Sequence, residues 1–145
     1  MVCGVLSINH VACVSMHNKH LDKRLPQIIV QSSWPAIFMV EVADTPEARA
    51  RGLMGRPSLH EDHGMLFQYE TMSRHVMWMK NTYVPLDILF IDDAWRIVGM
   101  IEHAEPLSLK KLSVDRESRY VFEMTHGLIS KHFMKIGDRV LLIKE

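Results

Sequence analysis

The sequence predicts a mainly β fold: a compact β-sandwich, jelly-roll-like unit or small barrel with two short helices. Three observations point there. Short apolar or alternating runs recur from Trp34 onward, as strands require. Gly, Pro and Asp punctuate the breaks between them. The spacers are mostly too short for repeated βαβ crossovers. With 145 residues the chain is long enough for one domain with a real hydrophobic core.

The elements follow in order. Residues 1–33 read as a leader or loosely attached arm, because they lack clean periodicity and "HLDKRLPQ" is polar and contains Pro. The folded domain is then residues 34–145. "AIFMVEVA" has strand composition. "DTPEARARGLMGR" predicts a helix, with Thr45 as N-cap, Pro46 at the first helical position and Glu47 in the first turn. Gly52 and Gly55 limit it to about two turns. "HEDHG" reads as a turn and "MLFQY" as a short strand. "MWMKNTYVPLDILFIDD" contributes two strands, with Val84 pushed to an extended conformation by Pro85. "DDAW" turns into the strand "RIVGMIEH", and "EPLSLKKLSVDRES" is a long connection. "RYVFEMT" alternates, with Tyr120, Phe122 and Met124 on one side and Arg119 and Glu123 on the other. "HGLISKHFMK" suits a short helix ending by Gly137, and "DRVLLIKE" closes as a strand.

Bulk composition excludes several classes. Lys plus Arg and Asp plus Glu number 17 each, so the chain lacks the basic surplus of a general nucleic-acid binder. No stretch has the length and apolarity of a transmembrane segment. The N-terminus is a poor secretory signal, with no basic start and with Asn9 and His10 interrupting its apolar part. Val11-Ala12-Cys13 resembles the end of a lipoprotein signal, which His10 spoils. Cys3 and Cys13 both lie in this leader, so the rest of the chain has neither a disulfide nor a thiol nucleophile. Neutral charge and the lack of a coiled-coil pattern predict a monomer.

The passage from Met77 to Asp93 carries the densest polar signal. If residues 77–81 pair with 86–90 through the loop Thr82-Tyr83-Val84-Pro85, Lys80 falls opposite Asp87. Met77, Met79, Ile88 and Phe90 then share one face, and Trp78, Lys80, Asp87 and Leu89 the other. Two readings follow. One is a cross-strand ion pair shielded by Trp78, worth about 0.2–1 kcal/mol when exposed. The other is a small polar pocket with Trp78 as its wall, in which Lys80 and Asn81 meet a ligand and Asp87 fixes Lys80.

The blocks "VEVADTPEARARGLMGRPSL", "GMLF", "WMKNTYVPLDILFID" and "VFEMTHGLISKHFMKIGDRV" closely resemble the bacterial and archaeal family known as domain of unknown function 192. The likeness runs from about Val40 to Val140, in order and with similar spacing. It implies a compact, mostly β domain of sandwich or jelly-roll type, in a family without an established activity and with many exported members. The family's polar motif positions fall on Arg51, Lys80, Asn81, Thr82, Asp87 and Asp92. Its apolar and glycine positions fall on Gly52, Leu53, Met54, Gly64, Met65, Leu66, Phe67, Trp78, Met79, Pro85, Leu86 and Phe90. The chain departs from the pattern at Met77, where an aromatic is usual, at "DDAWR", where Trp95 stands in a turn that normally holds glycine, and in its leader.

Other chemistry is thinner. Arg51 suits a fixed link to Asp87 or Asp92, or capture of an anion. "HEDH" sets His60 and His63 three apart in a turn, unlike the helical H-E-x-x-H of zinc hydrolases, and the four clean ligands of a structural zinc site are missing. His75, Met77 and Met79 alternate along one strand and would suit a soft ion such as Cu(I), although the chain's 11 Met make Met at core positions unsurprising. There is no G-x-S-x-G and no P-loop, no cofactor motif, and Asp87 and Asp92 lie on opposite faces by parity.

The expectation is therefore a non-enzymatic domain that binds a small polar ligand or glycan, or an envelope-associated accessory domain. Its site would comprise Arg51, Trp78, Lys80, Asn81, Asp87 and Asp92, with no resident metal or cofactor. The alternatives are a hydrolase using Asp87 with Lys80, and copper binding at His75, Met77 and Met79.

Overall fold

Strand side chains alternate between two faces, and in this protein both faces of the central strands are covered. The computed structural model describes residues 25–144. Their strands are β1 (Gln27–Gln31), β2 (Ala36–Ala43), β3 (His63–Ser73), β4 (Leu86–Ile91), β5 (Ile97–Ala104), β6 (Ser118–Thr125) and β7 (Arg139–Ile143), and their helices are α1 (Pro46–Arg51) and α2 (Leu128–Lys131). The mainly β expectation with two short helices holds. The strands form one sheet in the order β5-β4-β6-β3-β2-β1-β7. It curls into a half-barrel, and its outer strands meet at one end. There Arg96 bridges Arg139, and Val140 N–H donates to the Trp95 carbonyl at 2.9 Å. All neighbours pair antiparallel except β2 and β3, which are joined by the crossover that contains α1.

The domain begins earlier than position 34. β1 pairs with both β2 and β7, and Ile28 and Val30 are fully buried. The run "QIIVQ" is short and ends beside polar residues, so its alternation is hard to see without its partners. Cys3, Cys13 and the rest of the leader to residue 24 lie outside the described residues.

The inner core fills the curl. Ile28, Val30, Phe38, Val40, Leu66, Leu89, Ile91, Phe122, Met124 and Val140 line it, and Leu128, Ile129 and Met134 cap one end. Phe38 and Phe122 meet edge to face at 5.2 Å. The outer core lies on the opposite face of β3, β4 and β6. It contains Met65, Phe67, Leu86, Ile88, Phe90 and Val121, covered by Leu53, Met77 and Met79. β4 is buried at every position, which is why "LDILFI" shows no alternation. Gly64 lets β3 and β6 approach. A Cβ there would stand 2.3 Å from the Phe122 ring and 2.6 Å from the Glu123 carbonyl oxygen.

The expected hairpin between residues 77–81 and 86–90 does not form. Both edges of β4 are already taken, by β5 and β6, and backbone groups have only one set of ladder partners to give. Residues 77–81 instead cross the outer face. Met77 and Leu112 exchange two backbone bonds, at 2.8 and 2.9 Å, and Met79 N–H donates to the Ser108 carbonyl at 3.1 Å.

Asp87 points into the inner core with no solvent exposure. Between Leu86↔Ala104 and Ile88↔Ile101 the β4–β5 register slips by one residue, so β5 bulges there with His103 at φ 55°. The bulge frees the His103 N–H, which donates to Asp87 Oδ1 at 3.0 Å. Oδ2 accepts from Ile129 N–H, in the first turn of α2, at 2.9 Å.

Replacing this carboxyl strands two N–H groups, each costing about 1–3 kcal/mol. Asp87→Ala should therefore lower the unfolding free energy by about 2–4 kcal/mol in urea titration. A loss below about 1 kcal/mol would refute the brace. Gly64→Ala should cost about 1–3 kcal/mol through overpacking, read by the same titration.

Candidate functional site

The six residues singled out by sequence do not assemble into one site. Asp87 is sealed inside, bonded to backbone N–H groups, and makes no pair with Lys80. Lys80 is exposed, with its ammonium 5.1 Å from the centroid of the Trp78 ring. Asp92 Oδ1 accepts from Arg96 N–H at 2.8 Å, so it caps the β4–β5 turn. Arg51 therefore links to neither aspartate. Asn81 adopts φ 53°, a region Asn tolerates well, and its carbonyl accepts from Gly55 N–H at 2.8 Å. Its role is to tie the crossing segment to the turn after α1. Arg51 and Trp78 do come together, around a cavity that pairing logic alone missed.

The structure gives the three residues of the copper reading other surroundings. Met79 is wholly buried in the outer core. The Met77 sulfur accepts from the Tyr69 hydroxyl at 3.7 Å. The His75 ring stacks on Tyr69, and its Nε2 lies 3.0 Å from the Ser118 carbonyl oxygen. A carbonyl only accepts, so Nε2 carries the proton. Burial lowers the His75 pKa below the usual histidine range, which favours this neutral form.

The cavity, of about 310 Å³, opens over the outer core and lies at the small end of the range for ligand pockets. α1 and its turn form one wall, through Arg49, Arg51, Leu53 and Met54. Thr45 caps this helix by accepting from Ala48 N–H at 3.2 Å, and Gly52 ends it at φ 50°. Val76, Met77 and Trp78 form the facing wall, and Phe67, Tyr69 and Glu123 reach it from the sheet. Trp78 keeps 49% of its surface exposed. Arg49 is fixed: its Nη1 donates to the Asp44 and Gln68 carbonyls at 2.9 and 2.8 Å, and its guanidinium sits 5.0 Å over Tyr69. Among the described residues, Arg51 makes no side-chain hydrogen bond.

Glu123 is the unexpected member. It is 4% exposed, and its cross-strand neighbours are Met65 on β3 and Ile88 on β4. Among the described residues no donor or counter-ion meets its carboxyl. Burial alone pushes its pKa up to about 8, so at neutral pH the group is mostly a protonated acid. It offers one O–H donor and retains acceptor capacity. The alternation of "RYVFEMT" assigned Glu123 to the correct face. What it lacked was the knowledge that this face is covered too.

The sign of the linkage is definite. Between the ordinary value of 4.5 and about 8, the unfolded chain ionises this carboxyl while the folded chain keeps its proton. Stability from this group is therefore fully present below the lower value and is lost as pH rises through the window, at about 1.4 kcal/mol for each pH step of one. Glu123→Gln should flatten the pH dependence and be more stable than wild type at pH 8. Urea titrations at pH 5 and 8 check this, and an unchanged slope in the variant would overturn it.

Comparison with known proteins gives family and fold. A protein of Sinorhizobium meliloti 1021, provisionally named a transcription regulator, is 34% identical; the match covers 81% of this chain and 92% of that one, with a TM-score of 0.78. A protein of unknown function from Novosphingobium aromaticivorans DSM 12444 is 30% identical; the match covers 79% of this chain and 83% of that one, with a TM-score of 0.77. No curated protein matches the chain. Among the described residues, no helix is long and apolar enough to cross a membrane. A family model matches residues 28–142, and the chain belongs to that family, DUF192, described as an uncharacterized ACR.

Proposed function

We propose that this domain is a non-enzymatic binding module for a small hydroxyl-rich ligand of the glycan class, held in the cavity between α1 and the 76–78 segment. One observation carries the reading: a buried carboxyl without a hydrogen-bond partner among the described residues, Glu123, lies in a concave site walled by a half-exposed indole. A neutral acid donates to one hydroxyl and accepts from another, which matches adjacent hydroxyls on a sugar ring. The Trp78 face gives an apolar platform for the ring's C–H surface. Arg51, on α1 at the rim, offers donors to an acceptor-rich or acidic end of the ligand. Among the described residues Glu123 is the cavity's only carboxyl. Glycoside hydrolysis uses two that converge on one bond, so recognition is favoured over cleavage. The Asp87–Lys80 hydrolase scheme is dropped with its ion pair.

The test uses glucose, N-acetylglucosamine, cellobiose and glucuronate as probes, followed by tryptophan fluorescence and thermal shift. At least one should bind the wild type, with glucuronate tighter than glucose if Arg51 engages the ligand. Trp78→Ala should weaken that binding about tenfold, the factor equivalent to about 1.4 kcal/mol, and Glu123→Ala should weaken it at least as much. Saccharide binding that survives both substitutions, or its absence across the panel, refutes the assignment.

A further inference from the structure

Outside the lining of the cavity, the turn before β3 gathers three donor atoms. His60 Nδ1 lies 2.5 Å from Asp62 Oδ1, and His63 Nδ1 lies 2.6 Å from the same oxygen. The ligand atoms of all three residues fall within 4.8 Å of one another. The two imidazoles face each other edge to face, with centroids 5.8 Å apart. We propose that His60, Asp62 and His63 form a surface site for a divalent transition-metal ion of the zinc, nickel or copper type.

The backbone holds the three side chains in place without any metal. His63 N–H donates to the His60 carbonyl at 3.0 Å and closes the turn, and the Asp62 carbonyl accepts from Met39 N–H on β2 at 2.8 Å. His63 is the first residue of β3, in register with Met39. The site is thus anchored to the parallel β2–β3 pair. Its mouth is open, since the His60 side chain is 73% exposed and that of His63 36%. Glu61, between the ligands in sequence, is turned away and pairs with Lys131 at 2.8 Å.

The donor set selects the class of ion. Two imidazole nitrogens and one carboxylate oxygen suit borderline metals, whereas Mg²⁺ and Ca²⁺ take oxygen ligands. A closed structural zinc site needs four protein ligands; an open one needs three, with water or another molecule completing the shell. The Nδ1···Oδ1 separations of 2.5 and 2.6 Å are shorter than an ion bound between the same atoms would leave them. Metal–nitrogen distances near 2.0–2.1 Å require the two rings to draw back slightly from the carboxyl, and the exposed His60 has the freedom to do so.

Isothermal titration with Zn²⁺, on chelator-stripped full-length chain, tests the proposal. The wild type should bind, and His60→Ala combined with His63→Ala should weaken that event at least about tenfold, the loss that even outer partners of a metal site produce. Circular dichroism should stay unchanged in the variant, because both imidazoles are at the surface. A second readout needs no variant. Of the nine histidine ring signals in a carbon–proton NMR spectrum, two should shift on Zn²⁺ addition, and they should belong to His60 and His63. Unchanged Zn²⁺ affinity in the double variant, shifts confined to other histidines, or no binding by the wild type would each overturn the site.

Discussion

Asp87 is the constraint on which the architecture turns. It stands on a strand whose edges and faces are all occupied, so its carboxyl has no water to solvate it. Two backbone N–H groups take that place, and each comes from a different element. One is released by the bulge in β5; the other belongs to α2. α2 has only four residues, begins at Gly127 with no side-chain cap, and is far too short to persist alone. Leu128 and Ile129 nonetheless close one end of the inner core. A single buried side chain thus sets where β5 bends and where the lid of the inner core sits. The Asp87 carboxyl of the PLD segment is a structural brace.

The outer face has a different solution. Among the described residues, no second sheet packs on it. Irregular segments cross it, and irregular backbone must find partners for its own polar groups. These segments bond to one another: Met77 with Leu112, Met79 with Ser108, Leu107 with Thr82, and Asn81 with Gly55. The last of these fastens α1, which has no buried residue of its own, to the opposite wall of the cavity. Residues of the WMKNT block therefore set the width of the pocket more than its chemistry. Loose-fitting cover of this kind also explains why a cavity remains where a packed sheet would have left none.

Much of this was legible in the sequence, and the failures have physical causes. β2, β4, β5, β6 and β7 were readable from composition and punctuation, and α1 from Thr45, Pro46 and Gly52, because local chemistry fixes them. β1 was not, since five residues with two buried positions carry too little pattern. The false hairpin at 77–81 arose because strand-like composition says nothing about whether a partner edge is free. The error displaced Asp87 from the interior to a surface and created an ion pair that does not exist. Trp78 and Arg51 survived as cavity residues because their exposure follows from local geometry. Glu123 escaped notice because a charged residue on an alternating strand ordinarily marks the solvent face, and only the three-dimensional cover makes that face an interior.

The environment of Glu123 bears on what its cavity can do. A buried acid without a partner works against folding at neutral pH, so its chemistry depends on what stands ready to meet it. Three of its titratable neighbours are committed. Arg49 is held by two carbonyls, the Tyr69 hydroxyl by a methionine sulfur, and the His75 Nε2–H by the Ser118 carbonyl. Burial also raises the Tyr69 pKa, which keeps that phenol neutral. The proposed recognition draws on a donor and acceptor at depth, an aromatic wall, and a cation at the rim supplied by the last residue of α1. Glu123, Trp78 and Arg51 would supply these from three segments, two of which the bond between Gly55 N–H and the Asn81 carbonyl ties together.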